Sequence, residues 1–100
     1  MENKYGLNKD IYNEIIETFK SISEIKRVVL YGSRARGDYR KTSDIDLAVT
    51  FEEDKKLLLI RKLDDLKCIL KFDVINIDMI QNEKLLENIK NEGEIIYIKK

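Results

Sequence analysis

Residues 30–49 read Leu-Tyr-Gly-Ser-Arg-Ala-Arg-Gly-Asp-Tyr-Arg-Lys-Thr-Ser-Asp-Ile-Asp-Leu-Ala-Val. With Val28 and Val29 ahead of it, the run through Tyr31 is apolar and partly β-branched, which suits a buried strand. Gly32 then allows a sharp turn and a close approach of backbone to ligand. Asp44 and Asp46 open a second strand, about 44–50. Side chains alternate along a strand, so both carboxylates face one way while Ile45, Leu47 and Val49 face the other. Their Cα atoms then lie roughly 6.5–7 Å apart, a spacing at which two carboxylates can share hard cations.

On the N-terminal side, Asn8 or Asp10 can cap a helix. Ile11, Ile15, Phe19 and Ile22 recur at helical spacing with Ile16 beside them, and residues 21–24 form a plausible end. The first strand, about 27–31, follows closely. Residues 32–43 are loop or short helix, with Gly37 and Asp38 as a second turn signal. After the second strand, Glu52, Glu53 and Asp54 give an acidic start to another helix. Leu59, Leu63, Leu66 and Leu70 form its stripe, flanked by Ile60 and Ile69. A third strand is expected over 72–77. A short helix over 83–91 buries Leu85, Leu86 and Ile89, with Gly93 as its stop. Glu94–Ile98 is the last strand. The order α-β-β-α-β-α-β implies an α/β (α+β) fold: a mixed sheet of about four strands packed with about three helices. No repeat or linker divides the chain, so residues 1–100 read as a single domain.

Composition narrows the chemistry. Hydrophobic residues make up 43% and charged residues 38%, the balance of a globular chain. Nineteen basic and nineteen acidic residues cancel, so net charge gives no argument for nucleic-acid or membrane binding. With no histidine, a Ser-His-Asp triad, a His zinc site and an imidazole base are excluded. The single cysteine, Cys68, permits no internal disulfide and no cysteine metal cluster, and reads as a small core or half-buried residue rather than a nucleophile. No apolar run approaches the length of a membrane span and no signal-peptide core is seen, so a cytoplasmic protein is expected.

A phosphate-rich ligand fits what remains. Gly32 and Ser33, at a strand-to-helix turn, can offer backbone N–H groups and a hydroxyl to phosphate oxygens. Arg34 and Arg36 stand beside that turn, either as phosphate contacts or as solvated charge, and one of them could pair with Asp38. Asp44 and Asp46 supply oxygen ligands for magnesium at about 2.0–2.1 Å. Asp73 is the candidate third carboxylate, because it lies within a strand and points away from Phe72 and Val74. Asp78 is its rival at the strand's exit, where Asp is common in turns. Tyr39 reads as a loop or packing residue that could stack on a base. The chemistry expected is in-line nucleotidyl transfer at a two-metal site, with Asp73 also able to take the acceptor's proton.

Gly32-Ser33, ten intervening residues, then Asp44-Ile45-Asp46 and a later strand carrying Asp73, resembles the minimal nucleotidyltransferases of the polymerase-β-like superfamily. The run Gly-Ser-Arg-Ala-Arg-Gly-Asp with Ser-Asp-Ile-Asp-Leu looks especially like the small members encoded beside a HEPN-domain partner. That resemblance implies a nucleotidyltransferase fold using ATP and magnesium. It also implies an antitoxin that transfers AMP to a tyrosine of a HEPN ribonuclease toxin. The family's glycine and serine carry over to Gly32 and Ser33, its metal pair to Asp44 and Asp46, and its third carboxylate to Asp73. Two other readings accompany it: a binding antitoxin that neutralises by covering its partner, and a transferase acting on a small molecule or RNA. The short, neutral chain argues mildly against the last, and suggests that a partner supplies the acceptor.

Overall fold

Asn8 starts the first helix: its Oδ1 accepts the Ile11 amide at 2.9 Å, satisfying one of the N–H groups that a helix start leaves unpaired. The computed structural model describes residues 4–100. In it α1 spans Lys9–Lys20 and buries Ile15, Thr18 and Phe19. Then follow β1 (Ile25–Tyr31), the one-turn α2 (Ser33–Arg36), β2 (Ile45–Phe51) and α3 (Lys56–Asp64). The chain continues with β3 (Phe72–Asn76), a 3-10 turn (Ile77–Met79), α4 (Glu83–Glu92) and β4 (Glu94–Ile98). The expected order holds, with the short-helix option realised between the first two strands.

The strands form one mixed sheet in the order β3-β2-β1-β4. β1 is antiparallel to β2 and to β4, whereas β3 runs parallel to β2. A parallel pair needs a crossover, and α3 provides it. Alternation sorts the side chains into two faces. Val28, Leu30, Ile45, Leu47, Val49 and Val74 join Ile15 and Phe19 of α1 and Leu59 and Leu63 of α3 in the larger core. Val29, Tyr31 and Ala48 pack on the opposite face against Ile89 of α4, with Leu85, Ile75, Ile77 and Ile80 around them. Fully burying a side chain such as Leu47, Leu59 or Phe19 contributes about 1.5–3 kcal/mol, so the larger cluster fixes which way each strand faces. Asp46 and Asp73 fall on the α4 face.

One expectation changes. The Leu59–Leu70 stripe is not one helix. α3 ends at Asp64; Leu66 and Leu70 still reach the core from an irregular connection, while Ile69 is fully exposed. The chain has to travel back along the sheet before β3 can run parallel to β2; α3 begins that return and the residues after Asp64 complete it. Of the three acidic residues before α3, Asp54 meets its start, its Oδ1 accepting the Lys56 amide at 2.9 Å, while Glu53 and Glu52 pair with Lys55 and Lys99. Gly93 ends α4 as expected, in an ordinary extended conformation (φ −71°, ψ 149°). Glycine is needed there for space, since a Cβ would strike Ile89 O and Val29 Cγ1.

Candidate active site

β1 delivers the chain to Gly32, whose φ of 78° and ψ of −158° are open to glycine and strained for any other residue. Ser33 follows as the first residue of α2. No side chain caps this turn, so its leading amides are left to an outside acceptor. Gly37, at φ 96°, closes α2 in the left-handed region.

The carboxylates gather around that turn by register. Across the antiparallel pair, Tyr31 is the Cα partner of Asp46. Across the parallel pair, Asp46 is the Cα partner of Asp73. Tyr31, Asp46 and Asp73 therefore form a row over three adjacent strands, about 4.8 Å from strand to strand. Asp44, exposed and one residue ahead of β2, is near enough for its charge to act on Asp46. Asp46 is half-buried and lies against Gly32, where an added Cβ would collide with Oδ2 and stand 3.2 Å from Cγ.

Electrostatics report the same crowding. Burial, followed by the charges of Asp73 and Asp44, pushes the Asp46 carboxyl from 3.8 up to about 6, while Arg36 pulls it down. Burial, then Asp73 and Asp46, pushes the Tyr31 hydroxyl up to about 12, so Tyr31 stays neutral in the row. Repelling carboxylates of this kind are relieved by a proton or by a cation. As placed, no three such side chains among the described residues close into a finished metal cage. Magnesium does not require one: it is held by one or two carboxylates together with substrate phosphates and water. The all-oxygen donor set of Asp44, Asp46 and Asp73 fits that ion.

The two arginines part ways. Arg34, expected at a phosphate or in solvent, is 2% exposed. Its Nε donates to Ser43 O at 3.1 Å, Nη1 to Tyr5 O at 3.0 Å and Nη2 to Lys41 O at 3.3 Å, so it is engaged inside the loop and turned away from a phosphate. Arg36 is exposed, and its Nε and Nη1 pair with Asp38 at 3.3 Å and Glu92 at 3.4 Å. The pairing with Asp38 follows the sequence expectation; Glu92, on α4, could not be foreseen from local spacing. Asp78 sits in the 3-10 turn with its amide on Asn76 Oδ1 at 3.0 Å, and it is absent from the charges acting on Asp46. Tyr39 lies under Arg34, whose Cζ is 5.2 Å from the ring centroid. Sequence reasoning overlooked Tyr31 as a member of the row, although its place directly before Gly32 was the available signal.

Known proteins resemble this chain in sequence and in fold. The family model for polymerase beta, nucleotidyltransferase, matches residues 13–100. A Methanocaldococcus jannaschii protein named as a protein adenylyltransferase is 29% identical over 100 residues, covering 89% of this chain and 93% of the relative. A chain of a toxin–antitoxin crystal structure with AMP-PNP superposes with a TM-score of 0.73 at 22% identity, over 89% of this chain and 74% of that one. A chain of the complex between the tri-AMPylated Shewanella oneidensis HEPN toxin and its MNT antitoxin gives 0.67 at 20% identity, over 91% and 72%. At these identities the two structures speak for the fold.

Proposed function

Because this chain belongs to the polymerase beta nucleotidyltransferase family, we propose that it transfers AMP from ATP to a hydroxyl of a partner protein. The partner we assign is a HEPN-domain ribonuclease toxin modified on a tyrosine, which makes this chain its antitoxin, in the cytoplasm. Residues 1–100 act as one nucleotidyltransferase domain. The observation that carries the reading is the register of Asp46 against Asp73, with Asp44 ahead of them and the Gly32-Ser33 turn alongside. The relative named as a protein adenylyltransferase supports AMP as the transferred group, and the two complexes support the kind of partner. No helix among the described residues is long and apolar enough to cross a membrane.

Each residue then has a task. The Ser33 hydroxyl and the leading amides of α2 receive phosphate oxygens of ATP. Asp44, Asp46 and Asp73 would hold magnesium, which would supply charge stabilisation at the phosphates and lower the pKa of an acceptor hydroxyl. Gly32 keeps the backbone low enough for Asp46 to occupy its place. The acceptor oxygen forms a bond to the α-phosphorus as the bond to the bridging oxygen of the β-phosphate breaks. Pyrophosphate leaves, and the acceptor's proton passes to the exposed carboxylate of Asp73. Arg36 can exchange its solvent-exposed partners for the phosphate tail.

The test is transfer itself. Protein, magnesium and ATP labelled on the α-phosphate are incubated with the toxin under conditions where the two form a complex. Label on a toxin tyrosine is expected, and none with Asp44→Ala. A toxin that stays unlabelled while bound overturns the reading.

A further inference from the structure

We propose that Arg34 is the positioning residue that fixes the distance between the Ser33 turn and Asp44. The proposal rests on the transferase reading above and concerns how its site is held together. Ten residues separate Ser33 from Asp44, and the loop they form is rich in charge and poor in apolar side chains. Such a loop has little hydrophobic reason to keep one shape. Yet both ends of it carry site residues that must stay in register.

Arg34 is the first of those ten residues and is wrapped by the others. Its Nε donates to the carbonyl of Ser43, the residue directly before Asp44, at 3.1 Å. Nη2 reaches Lys41 O at 3.3 Å, with a longer contact of 3.5 Å to Arg40 O. Nη1 crosses to Tyr5 O at 3.0 Å, tying in the N-terminal turn. The Tyr39 ring lies 5.2 Å from Cζ and covers one face of the guanidinium. Gly6 completes the enclosure: a Cβ there would strike Tyr39 Cε1 and stand 2.8 Å from Arg34 Nη1. The loop is closed on itself by Arg40 N to Ser43 Oγ at 2.8 Å and Ser43 N to Arg40 O at 3.0 Å.

A buried cation that no carboxylate neutralises among the described residues is tolerated only if its donors are satisfied. Here backbone carbonyls from separate segments do this, and only a planar fork of five donors can address them together. Lysine, a single point of charge, reaches one of them. Arg34 therefore acts on the reaction through Ser33 on one side and Asp44 on the other, without touching substrate.

The experiment compares the full chain with Arg34→Lys and Tyr39→Leu. Binding of a fluorescent ATP analogue is titrated with magnesium, and backbone amide exchange is followed across residues 38–44. AMP transfer to the toxin is then measured. Arg34→Lys is expected to raise the half-saturating magnesium about tenfold, the usual scale for loss of a residue that orients metal ligands. Exchange of 38–44 should quicken while β1 and β2 keep their protection. Tyr39→Leu, at an exposed ring, should shift both in the same direction by about threefold. Unchanged magnesium dependence overturns the proposal, and so does protection lost evenly over the sheet. If Arg34→Lys does not fold, Tyr39→Leu decides by the same two outcomes. Should the wild-type chain bind nucleotide yet label no partner, the transferase reading fails, while the binding and exchange measurements still judge Arg34.

Discussion

Gly32 and Asp46 compete for one position: the space that a Cβ on residue 32 would take is filled by the Asp46 carboxylate. Two constraints thus meet at Gly32, the steric one and a φ of 78°. Gly32→Ala is expected to destabilise the chain by about 1–3 kcal/mol and to reduce AMP transfer by about a hundredfold or more, since Asp46 must move. Gly37 is the internal comparison. It shares the positive φ, at 96°, but a Cβ there meets nothing within 4 Å. Gly37→Ala should lower thermal stability modestly and leave transfer by the folded protein within about threefold. Equal loss of activity in the two variants would remove the Asp46 explanation.

Asp46 links activity to stability through pH. Its carboxyl is pushed up to about 6 in the folded chain from 3.8, by burial and by the charges of Asp73 and Asp44. Between those two values the folded state keeps a proton that the unfolded state has released, so stability falls as pH rises. The stabilisation is complete below about 3.8 and gone above about 6. Asp46→Asn removes the repulsion. Without metal it should melt several degrees above wild type at pH 7.5, a domain of this size moving roughly 4–8 °C per kcal/mol, and the gap should close toward pH 4. Magnesium should raise the wild-type Tm by binding the folded state, and raise that of Asp46→Asn far less. Thermal scans at two pH values with and without magnesium check all three statements.

The layout of the candidate site could be read from sequence wherever it depends on strand periodicity. Alternation alone put Asp44 and Asp46 on one face and Ile45, Leu47 and Val49 on the other. The apolar neighbours of Asp73 turned it to the face that Asp46 occupies. Arg34 could not be read that way. In a charged loop beside a phosphate turn, an arginine looks like a surface cation, and one of its acceptors, the Tyr5 carbonyl, lies 29 residues earlier. Carbonyls carry no residue-specific signal in a sequence. Gly93 was legible as the stop of α4, but the reason glycine stands there was not: it answers the approach of Val29 from another strand. The end of α3 was hidden because Leu66 and Leu70 remain core residues without being helical.

Arg36 sits at the edge of the same electrostatic field. It pairs with Asp38 and Glu92 and pulls the Asp46 carboxyl downward. Arg36→Gln should leave the fold intact, since exposed pairs of this kind contribute roughly 0–1 kcal/mol. If the guanidinium turns to the phosphate tail of ATP, KM for ATP should rise about three- to tenfold, up to about 1.4 kcal/mol, with kcat little changed. The acid limb of the rate profile should move to higher pH, because Asp46 loses the charge that favours its ionised form. A fall in kcat at constant KM would instead place Arg36 at the reacting phosphorus.

Asp73 and Asp78 lie five residues apart, yet the structure separates them sharply. Asp73 is the Cα partner of Asp46 on the adjacent strand, and its charge reaches both Asp46 and Tyr31. Asp78 has turned out of the sheet into the 3-10 segment, exposed, with its amide held by Asn76. Asp73→Asn keeps shape and removes charge, so its effect reports the magnesium-holding and proton-accepting roles proposed for Asp73. kcat/KM for AMP transfer should fall by about a thousandfold, or roughly 4 kcal/mol at 1.36 kcal/mol per decade. Asp78→Asn should stay within about twofold of wild type. The two substitutions are chemically identical, so the comparison isolates position. If Asp78→Asn were crippled and Asp73→Asn active, the row of Tyr31, Asp46 and Asp73 would not be the reacting site, and the third carboxylate would have to come from the 3-10 turn.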